Sequence, residues 1–304
     1  MPEINMRQAM VPRGAIPIPQ RRGTAPGLIC PVGDKVMYAA PGVPYELYEM
    51  YERAILPDLL ARSGEVTAIG SRVLRTWGNS ESGLNEQLFS VIAELEKVGN
   101  PTLAFLASGW EGIKVRLTAK ASTNQEVVAL LDVWDAKVRA VVGDIVFAAD
   151  NDTMESVVLQ MLRERGLTLG LAESVTGGLV AGRLTAIAGA SDVLRGSIVS
   201  YASEVKFDVL GVTPGPVVSE QASIEMAIGA KRALGSDVGL ALTGVAGPSE
   251  QDGKPVGTLC IGLVLADNST QSLTLQLPAQ REQMRQLSVI SALNVLRQAL
   301  QRSS

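Results

Sequence analysis

One serine lies where a predicted strand gives way to a helix, in LGLAESVTGGLVAGRLT at residues 169–185. The apolar run ends at Ala172, and small residues lead into the helix. The Ser174 hydroxyl is therefore expected near a helix N-terminus, where unpaired N–H groups can hold an anion or a developing oxyanion. The other residues of this turn that are candidates for contacting a substrate are Glu173, Thr176, Gly177 and Gly178. The alternative is that Ser174 or Thr176 merely caps the helix.

A nucleophilic serine needs a base, and the sequence contains no histidine. Ser-His-Asp catalysis, Cys-His catalysis and His-ligated zinc are therefore excluded. Lys206 is the best remaining candidate, because it lies in the first turn of the predicted helix SEVKFDVLG, where the helix dipole disfavours a positive charge. Burial would also lower its pKa toward neutrality. The alternative is an ordinary solvated lysine.

A glycine-rich stretch, LALTGVAGPSEQDGKPVGT at residues 240–258, follows another apolar strand. Thr243, Gly244 and Gly247 lie where backbone N–H groups can approach a phosphate or an oxyanion closely. The alternative is a long hairpin connection without a ligand.

Two arginines four residues apart, Arg281 and Arg285, lie near the start of a long amphipathic helix. Such a pair can bind a phosphate or carboxylate through paired hydrogen bonds. Two surface arginines are the alternative interpretation.

The elements that position these residues alternate between strand and helix from residue 167 onward. The predicted strands cover 168–172, 196–201, 238–243, 257–266 and 271–277, and the predicted helices cover 177–186, 203–210, 219–234 and 280–302. This order predicts an α/β sandwich. A helix before it begins with Asp152 and Glu155 at capping-box spacing and ends at Gly166, so we place a domain boundary near residue 150.

The first 150 residues contain two further segments. Residues 66–150 are expected to form a compact α+β domain of βαββαβ type. Residues 1–65 show one clear strand at 35–40 and a helix that ends at Gly64. A single strand cannot cover this helix, so the segment is expected to be an incomplete domain.

Composition restricts the class of protein further. The chain has 304 residues, of which 46% are hydrophobic and 19% charged, with a net charge of −4. No long apolar run predicts a membrane span or signal peptide, and the two distant cysteines favour a reducing compartment, so we expect a cytoplasmic protein. The acidic balance disfavours a nucleic-acid partner.

Taken together, the motifs resemble the CinA family, the competence/damage-inducible proteins. The resemblance rests on AESVTGG, GASDVLRGSIVSYASEVKFDVLGV, VSEQAS, LALTGVAGPS, GKPVGT and the R-x-x-x-R helix, in this order. It implies a carboxyl-terminal amidohydrolase domain at 151–304, a KH-like domain at 66–150 and a partial molybdopterin-binding-like segment at 1–65. The upstream nucleotide-diphosphate hydrolase motifs of the family are missing from this sequence, so no ADP-ribose pyrophosphatase activity is expected.

The resemblance also implies the activity, which is deamidation of nicotinamide mononucleotide by a Ser174 nucleophile and a Lys206 base without metal or cofactor. The residues it implies around the substrate are Tyr201, Ser191, Thr243, Gly244 and Arg281 or Arg285. Val175 replaces the cysteine that commonly follows the nucleophile in the family. Because this position does not supply the attacking atom, the replacement is expected to cause little loss of activity.

Two other functions remain open at this stage. One is a catalytically inactive nucleotide-binding protein, which would keep the fold but not the proximity of Lys206 to Ser174. The other is a nucleic-acid module, which the net charge and the SGWEG turn, lacking a basic Gly-x-x-Gly loop, disfavour. Apolar surface on a partial domain would favour self-association, so a homo-oligomer is expected.

Overall fold

A computed structural model describes residues 10–21, 25–64, 67–107, 109–278 and 280–302. The chain divides into two compact units, one formed by residues up to 68 with 121–126 and the other by residues 69–120 with those from 127 onward. The second unit contains most of the predicted middle domain and all of the predicted carboxyl-terminal domain. Within the described ranges, no helix is long and apolar enough to span a bilayer.

The amino-terminal unit is built on three antiparallel strands, where the sequence predicted only one. They are β1 (Ile16–Ile18), β2 (Gly27–Val32) and β3 (Lys35–Ala39), paired in the order β1-β2-β3. The helical segment consists of α1 (Pro44–Met50), a π-helical turn (Tyr51–Ile55) and α2 (Leu56–Ser63). The prediction of a single strand was wrong because β1 and β2 are short and contain prolines, which obscure the alternating pattern. Ile18, Ile29, Met50 and Ile55 form its small core.

The middle region has the predicted βαββαβ order. Its elements are β4 (Ala68–Thr76), α3 (Glu81–Gln87), α4 (Phe89–Val98), β5 (Thr102–Ala107), β6 (Ile113–Ala121), α5 (Asn124–Val142) and β7 (Val146–Ala149). The four strands form one sheet in the order β5-β6-β4-β7. The first helix of this order is divided into α3 and α4 at Leu88, where the backbone leaves helical geometry with ψ 6°.

The helix that opens the last region, α6 (Met154–Glu164), corrects one sequence prediction. Its capping box is formed by Thr153 and Ser156, whose side chains each accept a hydrogen bond from the other's backbone N–H, and not by Asp152 and Glu155. Thr153 adopts the extended backbone of an N-cap, which shifts the register of the cap by one residue. Glu155 is instead buried and accepts a hydrogen bond from the Nε of Arg183 at 2.6 Å.

The carboxyl-terminal region is an α/β domain on a five-stranded sheet, which confirms the predicted fold class. Its remaining elements are β8 (Leu169–Glu173), α7 (Leu179–Thr185), β9 (Leu194–Val199), α8 (Ser203–Val205), a π-helical turn (Lys206–Leu210), α9 (Glu220–Leu234), β10 (Val238–Gly244), β11 (Thr258–Val264), β12 (Thr270–Gln276) and α10 (Arg281–Arg302). The strand order is β12-β11-β10-β8-β9. Strand β8 is parallel to both of its neighbours, β9 and β10.

Helices cover both faces of this sheet. Leu171 and Leu240 belong to the core cluster that includes α6, α7 and α10, whereas Ala172 and Ala241 belong to the cluster that includes α9. Residues of opposite parity therefore face opposite helix layers, as alternation in a strand requires. On the α9 face the sheet presents small residues, and a Cβ on Gly239 would lie 2.1 Å from a carbonyl oxygen of α9. Because β8, β9 and β10 run parallel, their carboxyl ends lie at the same edge of the sheet.

Candidate active site

A cavity of about 180 Å³ lies beyond the carboxyl ends of the parallel strands. Its walls come from five parts of the chain, and the sequence motifs covered only some of them. The lining residues are Ser174, Val175, Tyr201, Lys206, Val217, Val218, Thr243, Gly244, Val245, Ala246, Gly247, Ser249, Gln251 and Arg281. The fold therefore brings the predicted Ser174, Lys206, Tyr201, Thr243, Gly244, Gly247 and Arg281 together in one place.

Ser174 is held at the first position after β8. Its backbone N–H donates to the carbonyl oxygen of Leu242 at 3.0 Å, which extends the pairing of β8 and β10 by one residue. The chain then turns through Gly177 and Gly178, whose φ angles of 59° and 93° favour glycine. This tight turn leaves the mostly buried side chain of Ser174 at the cavity wall.

The side chain of Glu173 lies away from the cavity, although the sequence made it a candidate for substrate contact. It is 0% exposed, and its carboxylate oxygens accept hydrogen bonds from the turn, from α7 and from β9. Thr176 is also fully buried, and its hydroxyl donates to the carboxylate of Glu173 at 2.8 Å. Both residues are therefore engaged within the protein.

Lys206 begins the π-helical turn that follows α8 and is only 2% exposed. Its Nζ donates to the carbonyl oxygen of Ser200 at 2.7 Å. Burial lowers the pKa of Lys206 because desolvation disfavours the ammonium form, while the negative charges of Asp252 and Glu204 act in the opposite direction. A lysine whose pKa is lowered by burial can accept a proton from a neighbouring hydroxyl.

At the mouth of the cavity, Arg281 connects two loops. Its Nη2 donates to the hydroxyl of Tyr201 at 2.6 Å, and its Nη1 donates to the carbonyl oxygen of Gly247 at 3.1 Å. Tyr201 is 60% exposed, so its ring lies at the entrance and not in the interior. Arg281 therefore places a positive charge beside the cavity.

Besides Glu173 and Thr176, four predicted substrate residues are absent from the cavity wall. Arg285 donates to the carbonyl oxygen of Thr176 at 2.7 Å and so binds the back of the turn that carries Ser174. Gly177 and Gly178 shape that turn and do not line the cavity, and Ser191 is an exposed residue of the 3₁₀ turn Ala190–Asp192. Of the two arginines, only Arg281 lines the cavity.

A group of lining residues that precede α9 or follow β10 was not predicted from the sequence. Val217 and Val218 form part of the wall, together with Ser249 and Gln251. Asp252 ties these segments together, because its carboxylate accepts hydrogen bonds from the N–H groups of both valines at 2.7 and 3.0 Å. The polar residues after Gly247 are a sequence feature that could have indicated a binding site. Their types alone do not show that they contact backbone groups more than thirty residues earlier in the chain.

No group of three or more His, Cys, Asp or Glu side chains capable of holding a metal occurs in the described parts of the chain. What the site offers is a hydroxyl, a buried amine and an arginine around a small polar cavity. This combination suits nucleophilic chemistry on an anionic small molecule.

The fold and the site together describe an α/β domain with a serine and a buried lysine at the ends of parallel strands. Two family profiles match the chain, the CinA C-terminal domain over residues 151–300 and the damage-inducible protein CinA KH domain over residues 71–148. The chain belongs to the CinA family, as its sequence resemblance had indicated.

Relatives support this assignment along almost the whole chain. A CinA-like protein from Frankia casuarinae is 45% identical over 99% of this chain and 70% of the relative. One from Synechococcus is 39% identical over 96% of this chain and 71% of the relative. A competence/damage inducible protein from Agrobacterium tumefaciens, known from its crystal structure, is 32% identical over 49% of this chain and 93% of that chain, with a TM-score of 0.46.

Proposed function

We propose that this protein is an amidohydrolase that converts nicotinamide mononucleotide to nicotinate mononucleotide and ammonia. The observation that carries the proposal is that the Ser174 hydroxyl and the buried amine of Lys206 line the same cavity. Family membership supports the choice of substrate, through the deamidase activity that the sequence resemblance implies.

In the proposed mechanism, neutral Lys206 accepts the Ser174 proton as the serine oxygen attacks the carboxamide carbon. The resulting ammonium then donates a proton to the nitrogen as the carbon–nitrogen bond breaks, which releases ammonia and leaves an acyl-enzyme ester. Water, deprotonated by Lys206, attacks this ester, Ser174 regains its proton from Lys206, and the carboxylic acid product leaves and loses its own proton to solvent. Each proton taken up by Lys206 is returned, so the enzyme ends the cycle unchanged.

The oxyanion needs N–H donors that the protein does not already use. The N–H of Gly177 donates to the carbonyl oxygen of Ser174, and that of Gly178 donates to Glu173, so these two are engaged. In the described part of the structure, the N–H groups of Val175 and Thr176 have no hydrogen-bond partner. Of these two residues Val175 lines the cavity, so we assign its N–H as a donor for the oxyanion.

Arg281 is the group we assign to the substrate phosphate. It is the arginine at the cavity wall, and the contacts with Tyr201 and Gly247 fix its guanidinium at the entrance. Arg285, which binds the carbonyl of Thr176, is expected to act through the turn and not through the substrate.

The experiment is ammonia release from nicotinamide mononucleotide by the full chain and by two pairs of variants. Ser174→Ala and Lys206→Ala should each lower kcat by at least about 10³-fold. Ser288→Ala and Lys231→Ala are matched controls, because Ser288 is a buried serine of α10 and Lys231 also donates to a backbone carbonyl, both outside the cavity. The controls should retain wild-type kcat.

A folded wild type that binds nicotinamide mononucleotide without releasing ammonia would contradict the proposal and favour the inactive nucleotide-binding alternative. Retained activity in folded Ser174→Ala would remove the nucleophile assignment alone. Circular dichroism of each variant separates loss of chemistry from loss of fold.

We also propose that the protein self-associates. Tyr45, Tyr48 and Leu60 of the amino-terminal unit are each more than half exposed, and a second copy of the chain could cover apolar surface of this kind. Sedimentation velocity should show a species heavier than the monomer, and a monomer at all concentrations tested would contradict this.

A further inference from the structure

Glu173 is the residue directly before the proposed nucleophile, and its side chain is completely buried. One carboxylate oxygen, Oε2, accepts hydrogen bonds from the Thr176 hydroxyl at 2.8 Å and from the N–H groups of Gly178 and Val180 at 3.0 Å each. The other, Oε1, accepts from the N–H of Ala181 and from the hydroxyl of Ser197, both at 2.9 Å. Five donors therefore converge on one carboxylate.

These bonds complete the hydrogen bonding at the start of α7. The first N–H groups of a helix have no partner within the helix. Here those of Gly178, Val180 and Ala181 donate to Glu173, and that of Leu179 donates to the carbonyl oxygen of Thr176 at 3.3 Å. The protein's own carboxylate occupies the place that a substrate anion would otherwise take.

The same residue also connects the turn of Ser174 to the strand that leads to Lys206. The backbone carbonyl of Glu173 accepts from the N–H of Ser200 at 2.9 Å, while its side chain binds Ser197 of β9. Ser200 in turn provides the carbonyl that accepts from the Nζ of Lys206 at 2.7 Å. Glu173 thus contacts both segments that carry the proposed catalytic pair.

We propose that Glu173 is a positioning residue, which fixes Ser174 relative to Lys206 and makes no contact with the substrate. This inference rests on the proposed function for the identity of the pair. It replaces the substrate-contacting role that the sequence pattern suggested for Glu173.

Glu173→Gln is the most informative change. A carboxamide keeps the shape of the side chain but has one acceptor oxygen, so its NH₂ group would face either the N–H of Ala181 or those of Gly178 and Val180. At least one of the five hydrogen bonds would therefore be lost. The turn would shift, and a displacement of about 1 Å between reacting groups can lower a rate by about 10²-fold. Ser197→Ala, a milder change, removes one donor and leaves all bonds to α7 in place.

The experiment compares Glu173→Gln, Ser197→Ala and the control Glu155→Gln in the full chain. Glu155 is also a buried glutamate of this domain, but it pairs with Arg183 and has no bond to the turn of Ser174. The readouts are kcat and KM for ammonia release, the rate at which a fluorophosphonate probe labels Ser174, measured by mass spectrometry, and the thermal unfolding temperature.

We expect Glu173→Gln to lower kcat and the labelling rate by about 10²-fold with KM unchanged within about twofold. Ser197→Ala should lower both rates by about fivefold. Glu155→Gln should unfold at a lower temperature but keep wild-type rates. If the role of Glu173 is only structural, all three variants should unfold at a lower temperature, and no variant should show a lower kcat at an unchanged KM.

Wild-type kcat and labelling in folded Glu173→Gln would overturn the proposal, and so would a rise in KM alone, since that indicates substrate binding. If Glu173→Gln does not fold, Ser197→Ala decides, and wild-type rates in it overturn the proposal. If the wild type releases no ammonia, the proposed function fails, but the labelling rates still test the positioning of Ser174.

Discussion

The end of β8 and the helical segment after β9 each bury one ionisable side chain, Glu173 and Lys206, but the two side chains have very different numbers of hydrogen-bond partners. The carboxylate of Glu173 accepts five hydrogen bonds, whereas the Nζ of Lys206, with three hydrogens when charged, donates to a single acceptor in the described structure. Burial lowers the pKa of Lys206 because that one carbonyl compensates little of the lost hydration. A buried ionisable group with many hydrogen bonds fixes the backbone segments that supply them. A buried group with few hydrogen bonds changes its protonation state more easily.

Arg297 extends the comparison to a second cation. It is 1% exposed, and burial lowers its pKa too. However, its guanidinium donates to the carbonyl of Asp144 at 2.9 Å and to the side chains of Asn294 and Gln301. Burial and pKa direction are the same as for Lys206, but a guanidinium stays protonated in proteins and each of its three nitrogens here has a partner, so Arg297 is a structural cation.

The largest stability effect is expected from Arg297→Met. This change removes a buried cation and leaves the oxygen atoms of Asp144, Asn294 and Gln301 without their donor, so the free energy of unfolding should fall by about 3 kcal/mol while kcat stays at the wild-type value. Urea denaturation and the ammonia assay measure the two quantities. An unchanged or increased stability would show that counting partners does not identify structural cations.

Lys206→Met is expected to change the free energy of unfolding in the opposite direction. Removing a buried and poorly compensated charge should leave the free energy of unfolding equal or raise it by about 1 kcal/mol, although activity is lost. Because the lysine pKa is lowered in the folded state, wild type carries the full burial penalty at low pH. This penalty shrinks as pH rises from the folded-state pKa toward the ordinary value of 10.5.

The stability advantage of Lys206→Met should therefore be greatest in acid and decline as the pH rises. Urea titrations at several pH values measure it, with Lys231→Met as the control. An advantage that grows with pH would mean that the pKa of Lys206 is raised in the folded protein.

A smaller effect is expected at the start of α6. Thr153→Ala removes the side chain that caps this helix, so the free energy of unfolding should fall by about 1 kcal/mol with kcat unchanged. Asp152→Ala is the control and should cost less than half as much. If Asp152→Ala lowers the free energy of unfolding more than Thr153→Ala does, the Asp152–Glu155 capping box that the sequence pattern suggested would be supported.

The smallest effect is expected from Glu204→Gln. The Glu204 charge raises the pKa of Lys206, so its removal should move the acid limb of the kcat profile to lower pH. The shift should be small because Glu204 is exposed. Asp208→Asn is the control, because Asp208 lies on the π-helical turn that begins at Lys206. An equal shift of the acid limb in both variants would mean that a general effect of surface charge is responsible.

Much of the fold follows from local patterns. The strands and helices of the carboxyl-terminal domain lie within a few residues of their predicted bounds, because apolar periodicity and glycine stops depend on neighbours in the chain. The predictions of a single amino-terminal strand and of an Asp152–Glu155 cap failed for the opposite reason. Pairing of short strands and the choice between adjacent cap residues are decided by backbone geometry that residue types alone do not specify.

The same division applies to the site. The absence of histidine and the positions of Ser174 and Lys206 after predicted strands were enough to select the candidate pair from the sequence alone. Only the tertiary structure decided that Glu173 faces α7 and β9, that Arg281 and not Arg285 reaches the cavity, and that Val217 and Gln251 line it. Local sequence determines where a strand ends, but the direction and partners of a side chain depend on elements far away in the chain that pack beside it.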